Sequence, residues 1–235
     1  MPAEPLRTEE LAARRLRQSL RLGEVEPIAD IVDAVESAGV DCFLTELPRP
    51  IAGLAGRVNG RWYVVADSTI RSAGRTRFTL AHEFGHVVMG HEPSVDDEDT
   101  LRARDGGALP LEVQANYFAA EFLLPRHAVE DRATARGVPF DADQITAWIE
   151  ELAGDHGVTA WVALYRMRTV GLLGWAEQKA VEQRLSPSRP PDTRGDTVSA
   201  LAGTGATRMP KAYELRQRQL AEAGKDSDED DGGLW

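Results

Sequence analysis

Apolar residues recur on one side of the chain at Ile28, Ile31, Val32 and Val35, the spacing of an amphipathic helix that Pro27 opens and Gly39 closes. Upstream, residues 6–21 read as a helix rich in Ala, Leu and Arg, ended by Gly23. The period then changes. VDCFLTEL (40–47) reads as a strand, and IAGLAGRVNGRWYVVAD (51–67) as two short strands joined by Asn59-Gly60, a strong two-residue hairpin signal. Helical spacing returns over 73–90. The acidic, Gly- and Pro-bearing stretch 92–110 reads as a loop, and a helix over 111–124 stops at Pro125. Further helices are expected over 126–136 ending at Gly137, over 141–153 ending at Gly154, and over 158–170. SPSRPPDTRGDT (186–197) has the composition of a linker, MPKAYELRQRQLAEAGK that of a solitary helix, and DSDEDDGG that of a solvated acidic tail.

This alternation predicts an α+β fold, with a small antiparallel or mixed sheet of about three strands packed on helices. The organisation expected is an N-terminal helix over 1–26 and a core over 27–137. A helical cap follows over 138–176, and then a linker with a mostly disordered acidic tail over 177–235. No internal repeat is visible.

Composition narrows the function classes. The chain has 235 residues, 42% hydrophobic and 28% charged, the profile of a globular protein able to bury a core without disulfides. Cys42 is the single cysteine, which excludes an intramolecular disulfide and any zinc site built from several cysteines, and fits a reducing compartment. The first twenty residues lack the apolar run of a signal peptide, and no stretch is long and apolar enough for a membrane span, so cytoplasmic residence is expected. A formal charge of −11, part of it in the tail, argues against non-specific attraction to nucleic acid.

The chemistry concentrates in RFTLAHEFGHVVMGH (77–91). His82-Glu83-Phe84-Gly85-His86 matches H-E-x-x-H. On a helix, residues four apart differ by roughly 40° in azimuth, so both imidazoles can chelate one ion. Glu83 lies roughly 100° from His82, within reach of a water at the metal but poorly placed to ligate. Leu80, Ala81, Phe84, Val87 and Val88 fall on the opposite face and are expected to pack. The competing reading is a buried helix with two hydrogen-bonded histidines.

A hydrolytic zinc site needs three protein ligands and an open position. His91 fits no third-ligand spacing: the metzincin pattern would need Gly at 89 and His at 92, where Met89 and Glu92 stand. His127 and His156 stand alone and read as surface or capping histidines, and Asp96 to Asp99 lie in the acidic loop. Glu112 opens the next helix, where Ala115, Asn116 and Ala119 share its face and let two helices approach closely. Spacing alone leaves Glu112 balanced between a ligand and a solvated first-turn glutamate favoured by the helix dipole.

Arg77-Phe-Thr-Leu-Ala-His-Glu-Phe-Gly-His86, followed by Glu112-x-x-Ala-Asn116-x-Phe-Ala-Ala-x-x-Leu-Leu-Pro125, resembles the ImmA/IrrE family of metallopeptidases. The likeness is tight over 75–125, looser over about 27–175, and absent from 176–235. It implies a zincin-like minimal metallopeptidase fold. One zinc ion would be held by His82, His86 and Glu112, with Glu83 as catalytic acid/base. It also implies a narrow-specificity endopeptidase whose protein substrate is a helix-turn-helix repressor, relieving repression in a stress response or a mobile element. The rival expectation is a non-proteolytic or toxin-like binding partner of such a protein. Asn116 is open between stabilising an oxyanion and orienting a ligand. The strand Arg61-Trp-Tyr-Val-Val65 is open between an edge that receives substrate and a fully paired inner strand. Residues 143–170 are similar to the family's helix-turn-helix-like segment. Arg166 and Arg168 are its only cations among Asp141, Asp143, Glu150, Glu151 and Asp155, which favours a cap or a protein-docking surface over direct DNA reading.

Overall fold

A computed structural model describes residues 6–92, 94–97, 110–137, 141–185, 196–211 and 214. Helix α1 (Thr8–Ser19) is closed at its start by Glu10, whose carboxylate accepts from Arg7 N–H at 3.0 Å. Helix α2 (Ile31–Ser37) is shorter than the apolar spacing suggested. It begins after Asp30, whose side chain accepts from the Val32 and Asp33 amides, and not at Pro27. Gly39, at φ 82°, turns the chain into β1 (Asp41–Thr45).

Strands β2 (Ile51–Val58) and β3 (Arg61–Asp67) form the hairpin read from Asn59-Gly60. Both turn residues are left-handed, at φ 51° and 81°, as a two-residue turn matching strand twist requires. The sheet order is β1-β3-β2-β4, with β1 parallel to β3 and β2 antiparallel to both β3 and β4. Strand β3 is therefore an inner strand, which removes Arg61–Val65 as a receiving edge. Strand β4 (Ser94–Asp97) was not foreseen, because it lies in the stretch read as loop; it pairs with β2 through Leu54↔Val95 and Gly53↔Asp96.

Helix α3 (Ala73–Met89) crosses this sheet, and α4 (Pro110–Leu123) packs along α3. Between them Phe84 meets Phe118 and Phe122 edge-on at 6.2 and 5.7 Å, and the latter two rings stack at 5.6 Å. Leu80 and Ala81 join Val32, Val35, Cys42 and Val64 in the same buried core. Helix α5 (Arg126–Arg136) ends at Gly137 as expected. Helix α6 (Ala142–His156) runs through Gly154 and stops only at Gly157, which is left-handed at φ 62°. Helices α7 (Ala160–Thr169) and α8 (Trp175–Glu182) complete this layer, α8 being unpredicted. The α6–α7 turn touches the start of α3, where a Cβ on Gly74 would lie 2.9 Å from the Val158 carbonyl carbon.

The chain beyond 195 returns to this core. Asp196 caps α9 (Thr197–Leu201) and ion-pairs with the buried Arg77 of α3, whose Nη2 also donates to Ile28 O at 2.7 Å. Arg208 bridges β1, exchanging both backbone bonds with Leu44 at 2.7 and 3.2 Å. Most of the linker (186–195), nearly all of the solitary helix and the acidic tail lie outside the described residues, as does 98–109 of the expected loop. No described helix is long and apolar enough to cross a membrane.

Candidate metal centre

Helix α3 starts on Ser72, whose side chain accepts from Arg75 N–H, and carries His82, Glu83 and His86 in its buried middle. Its back packs as expected at Leu80, Ala81 and Phe84, with Val87 half-buried against the core, whereas Val88 is exposed. What brings α4 close enough is Gly85. A Cβ there would fall 2.9 Å from Phe118 Cδ1 and 3.2 Å from Cγ, so the Phe118 ring occupies the space that a side chain would need. Ala115 and Ala119 are fully buried on the facing side of α4.

Through that close contact Glu112 reaches the histidine pair. His82 Nε2 lies 3.1 Å from Glu112 Oε2 and 3.1 Å from His86 Nε2, and His86 Nε2 lies 3.4 Å from the same carboxylate oxygen. Among the described residues this is the one cluster of His, Cys, Asp or Glu whose donor atoms converge in this way. Ligands about 2.0–2.1 Å from a tetrahedral ion stand roughly 3.3 Å apart, which matches these spacings.

Proton positions point to a cation as well. Asn116 Oδ1, 2.9 Å from His82 Nδ1, can only accept, so that nitrogen carries the hydrogen. A neutral His82 then presents a bare lone pair from Nε2 to the Glu112 carboxylate, another acceptor. The contact is repulsive without a positive charge between them. The same geometry places Asn116 behind His82, in the orienting role.

Glu83 points to the other wall. A Cβ on Gly53 of β2 would fall 2.6 Å from Glu83 Oε1 and 2.5 Å from Thr79 Cγ2, so the missing side chain at 53 makes room for the carboxylate. Glu83 is fully buried beside the histidines without joining their donor cluster. A hydrolytic site needs this division: three groups that hold an ion, and a carboxylate that can exchange protons next to it.

Three further residues had no role in the sequence reading. His91 does not join the donor cluster, yet its Nδ1 lies 2.9 Å from His86 Nδ1 and its Nε2 lies 3.1 Å from Gln114 Oε1. The signal for it was Gly90 (φ 71°), which closes α3 with His91 N–H donating to His86 O at 2.9 Å and Gly90 N–H to Val87 O at 3.2 Å. That closure places the residue after the glycine against the residue five before it. Gly53 and Gln114 carried no local signal. His127 is half exposed, 3.0 Å from Arg14 Nη1, while His156 is buried with its ring nitrogens 3.2 Å from Leu152 O and 3.3 Å from Val25 O. Neither approaches the cluster. Of the two alternatives, His156 is thus the capping one, buried at the end of α6 with its ring against the Leu152 carbonyl, and not a surface histidine.

The family model described as the IrrE N-terminal-like peptidase domain matches residues 39–168, which contain His82, Glu83, His86 and Glu112. No curated protein matches the chain.

Proposed function

The chain belongs to the IrrE N-terminal-like peptidase family, and from that premise we propose a zinc-dependent endopeptidase of narrow specificity that cleaves a helix-turn-helix transcriptional repressor. The observation that carries the metal and the hydrolysis is the convergence of His82, His86 and Glu112 within 3.1–3.4 Å, with Glu83 buried alongside. Zinc is the ion that suits two imidazoles and one carboxylate at tetrahedral spacing. Held there, it supplies Lewis acidity toward the scissile carbonyl and lowers the pKa of water toward ~7. Glu83 takes a proton from the attacking water as its oxygen bonds to the carbonyl carbon. It returns that proton to the peptide nitrogen as the C–N bond breaks. Asn116 keeps the His82 lone pair turned inward throughout.

An extended substrate segment docks along the outer side of β4, which has no strand partner among the described residues. Its inner side pairs with β2 at Gly53, next to Glu83. The helix-turn-helix-like helices α6 and α7 serve as a cap or docking surface and not as DNA readers. Arg166 supports this, because its side chain is fully buried between Glu10 and Glu121. Arg168 is likewise engaged, by Gln178 Oε1 at 2.7 Å and the Trp175 ring.

The substrate class rests on the family resemblance, with a role in a stress response or a mobile element as its corollary. The test is incubation of zinc-loaded protein with the helix-turn-helix protein encoded beside it. Site-specific cleavage that disappears in Glu83→Gln is the expected result. Equal inactivation of the repressor by wild type and Glu83→Gln, without cleavage, would overturn the proposal in favour of a non-proteolytic binding partner.

A further inference from the structure

We propose that His91 and Gln114 form a positioning relay behind His86, fixing the tautomer and the angle of that imidazole toward the metal site. The inference rests on the metal reading above and deepens it. Two ring nitrogens 2.9 Å apart share a hydrogen bond only if one carries the hydrogen and the other a lone pair. His86 turns Nε2 toward His82 and Glu112, and a metal ligand must present a lone pair there. Its hydrogen therefore sits on Nδ1 and is donated to His91 Nδ1. His91 in turn carries its hydrogen on Nε2, where Gln114 Oε1 accepts at 3.1 Å. Each atom has one role, and the chain runs in one direction.

Two separate pieces of local structure build this relay. The left-handed Gly90 folds the backbone so that the His91 ring meets His86, with centroids 4.9 Å apart. Gln114 stands two residues after Glu112 in α4, so the helix that supplies the third ligand also anchors the second. Asn116, two residues further on, does the same for His82 in a single step. All three ligands are thus oriented from one stretch of α4. Partners of this kind commonly change metal affinity by about 10–100-fold when removed.

The test uses full-length, metal-stripped protein titrated with zinc against a chromophoric chelator, with urea unfolding of each variant run in parallel. His91→Ala and Gln114→Leu are expected to weaken zinc binding about 10–100-fold. His91→Asn, whose amide oxygen can still accept from His86 Nδ1–H, should stay within about threefold of wild type. Nitrogen NMR of the zinc form, with labelled histidine, should show the hydrogen on Nδ1 of His86 and on Nε2 of His91. Zinc bound as tightly by His91→Ala as by wild type overturns the relay alone, as does the opposite tautomer at His91. Equal losses in His91→Asn and His91→Ala also overturn it, since packing would then explain both. Failure of the wild-type protein to take up zinc would overturn the metal reading itself.

Discussion

Gly85→Ala adds one methyl group where the structure leaves no room for it. The new carbon would sit 2.9, 3.2 and 3.3 Å from Cδ1, Cγ and Cβ of Phe118, a ring held edge-on by Phe84 and stacked on Phe122. Ordinary carbon contacts lie at about 3.5–4.0 Å, so α4 must retreat by roughly 0.5–1 Å. Overpacking of this kind costs about 1–3 kcal/mol, against about 1 kcal/mol that alanine gains over glycine within a helix. The net effect on stability is a loss of up to about 2 kcal/mol. The effect on the site is sharper. Glu112 travels with α4, and its carboxylate leaves the 3.1–3.4 Å spacing at which all three donors reach one ion.

Zinc affinity should therefore fall at least about tenfold, or roughly 1.4 kcal/mol, although no ligand has been touched. The measurement is chelator competition together with urea unfolding, made in the wild-type and Phe118→Ala backgrounds. With Cγ and the ring removed at 118, Gly85→Ala should become neutral or mildly stabilising. The coupling between the two positions should be about 1–3 kcal/mol. If Gly85→Ala instead stabilises the protein by the full helix-propensity gain in both backgrounds and leaves zinc affinity unchanged, the close α3–α4 contact does not set the metal site.

Two other consequences concern charges buried away from the metal. Asp196→Ala takes the carboxylate from an ion pair whose side chains are 0% and 4% exposed, at Arg77 and Asp196 respectively, and should cost about 3–5 kcal/mol in urea unfolding; a loss under about 1 kcal/mol would show that the C-terminal segment does not hold α3. Burial raises the pKa of Glu10, but the Arg166 charge, a backbone bond from Arg7 and a hydrogen bond from Arg166 outweigh this and lower it below 4.5. The unfolded chain then binds the proton first as pH falls, so the contribution of Glu10 is complete above about pH 4.5 and is lost as pH drops through the lower folded value. Glu10→Gln should cost about 1–3 kcal/mol at neutral pH and flatten that acid limb, and an unchanged limb would refute the assignment.

What the sequence disclosed and what it hid divide along local against non-local causes. The H-E-x-x-H helix, the hairpin and the Glu112 helix were legible because each carries its own period and its own stop signal: Gly90, Asn59-Gly60 and Pro125. Strand β4 was not, since SVDD alternates nothing and becomes a strand only because the edge of β2 offers it partners. Gly154 read as a terminator, yet packing of Leu152, Ala153 and His156 carries α6 past it to Gly157. At the site, ligand spacing could be read along a helix, but the matching of Gly85 to Phe118 and of Gly53 to Glu83 joins positions on different elements. His91 was set aside because it was judged only as a ligand; its place behind His86 follows from the backbone closure at Gly90.

Buried charge also defines the physical unit that performs the chemistry. Arg77 lies five residues before His82 on α3, and its guanidinium is answered by Asp196 and Ile28 O, both outside residues 39–168. Arg166, near the end of that span, is answered by Glu10 from α1 as well as by Glu121 and Leu124 O. Both guanidinium side chains are 0% exposed, so loss of Asp196 would leave Arg77 a costly buried cation, whereas Arg166 would lose one of its two carboxylate partners and keep Glu121. Helix α3 is thus tied on one side to the segment after 195 and, through α4 and Arg166, to the first helix of the chain. The charges that hold α3 and α4 come in part from outside the span the family shares, Asp196 answering Arg77 from beyond 195 and Glu10 answering Arg166 from α1.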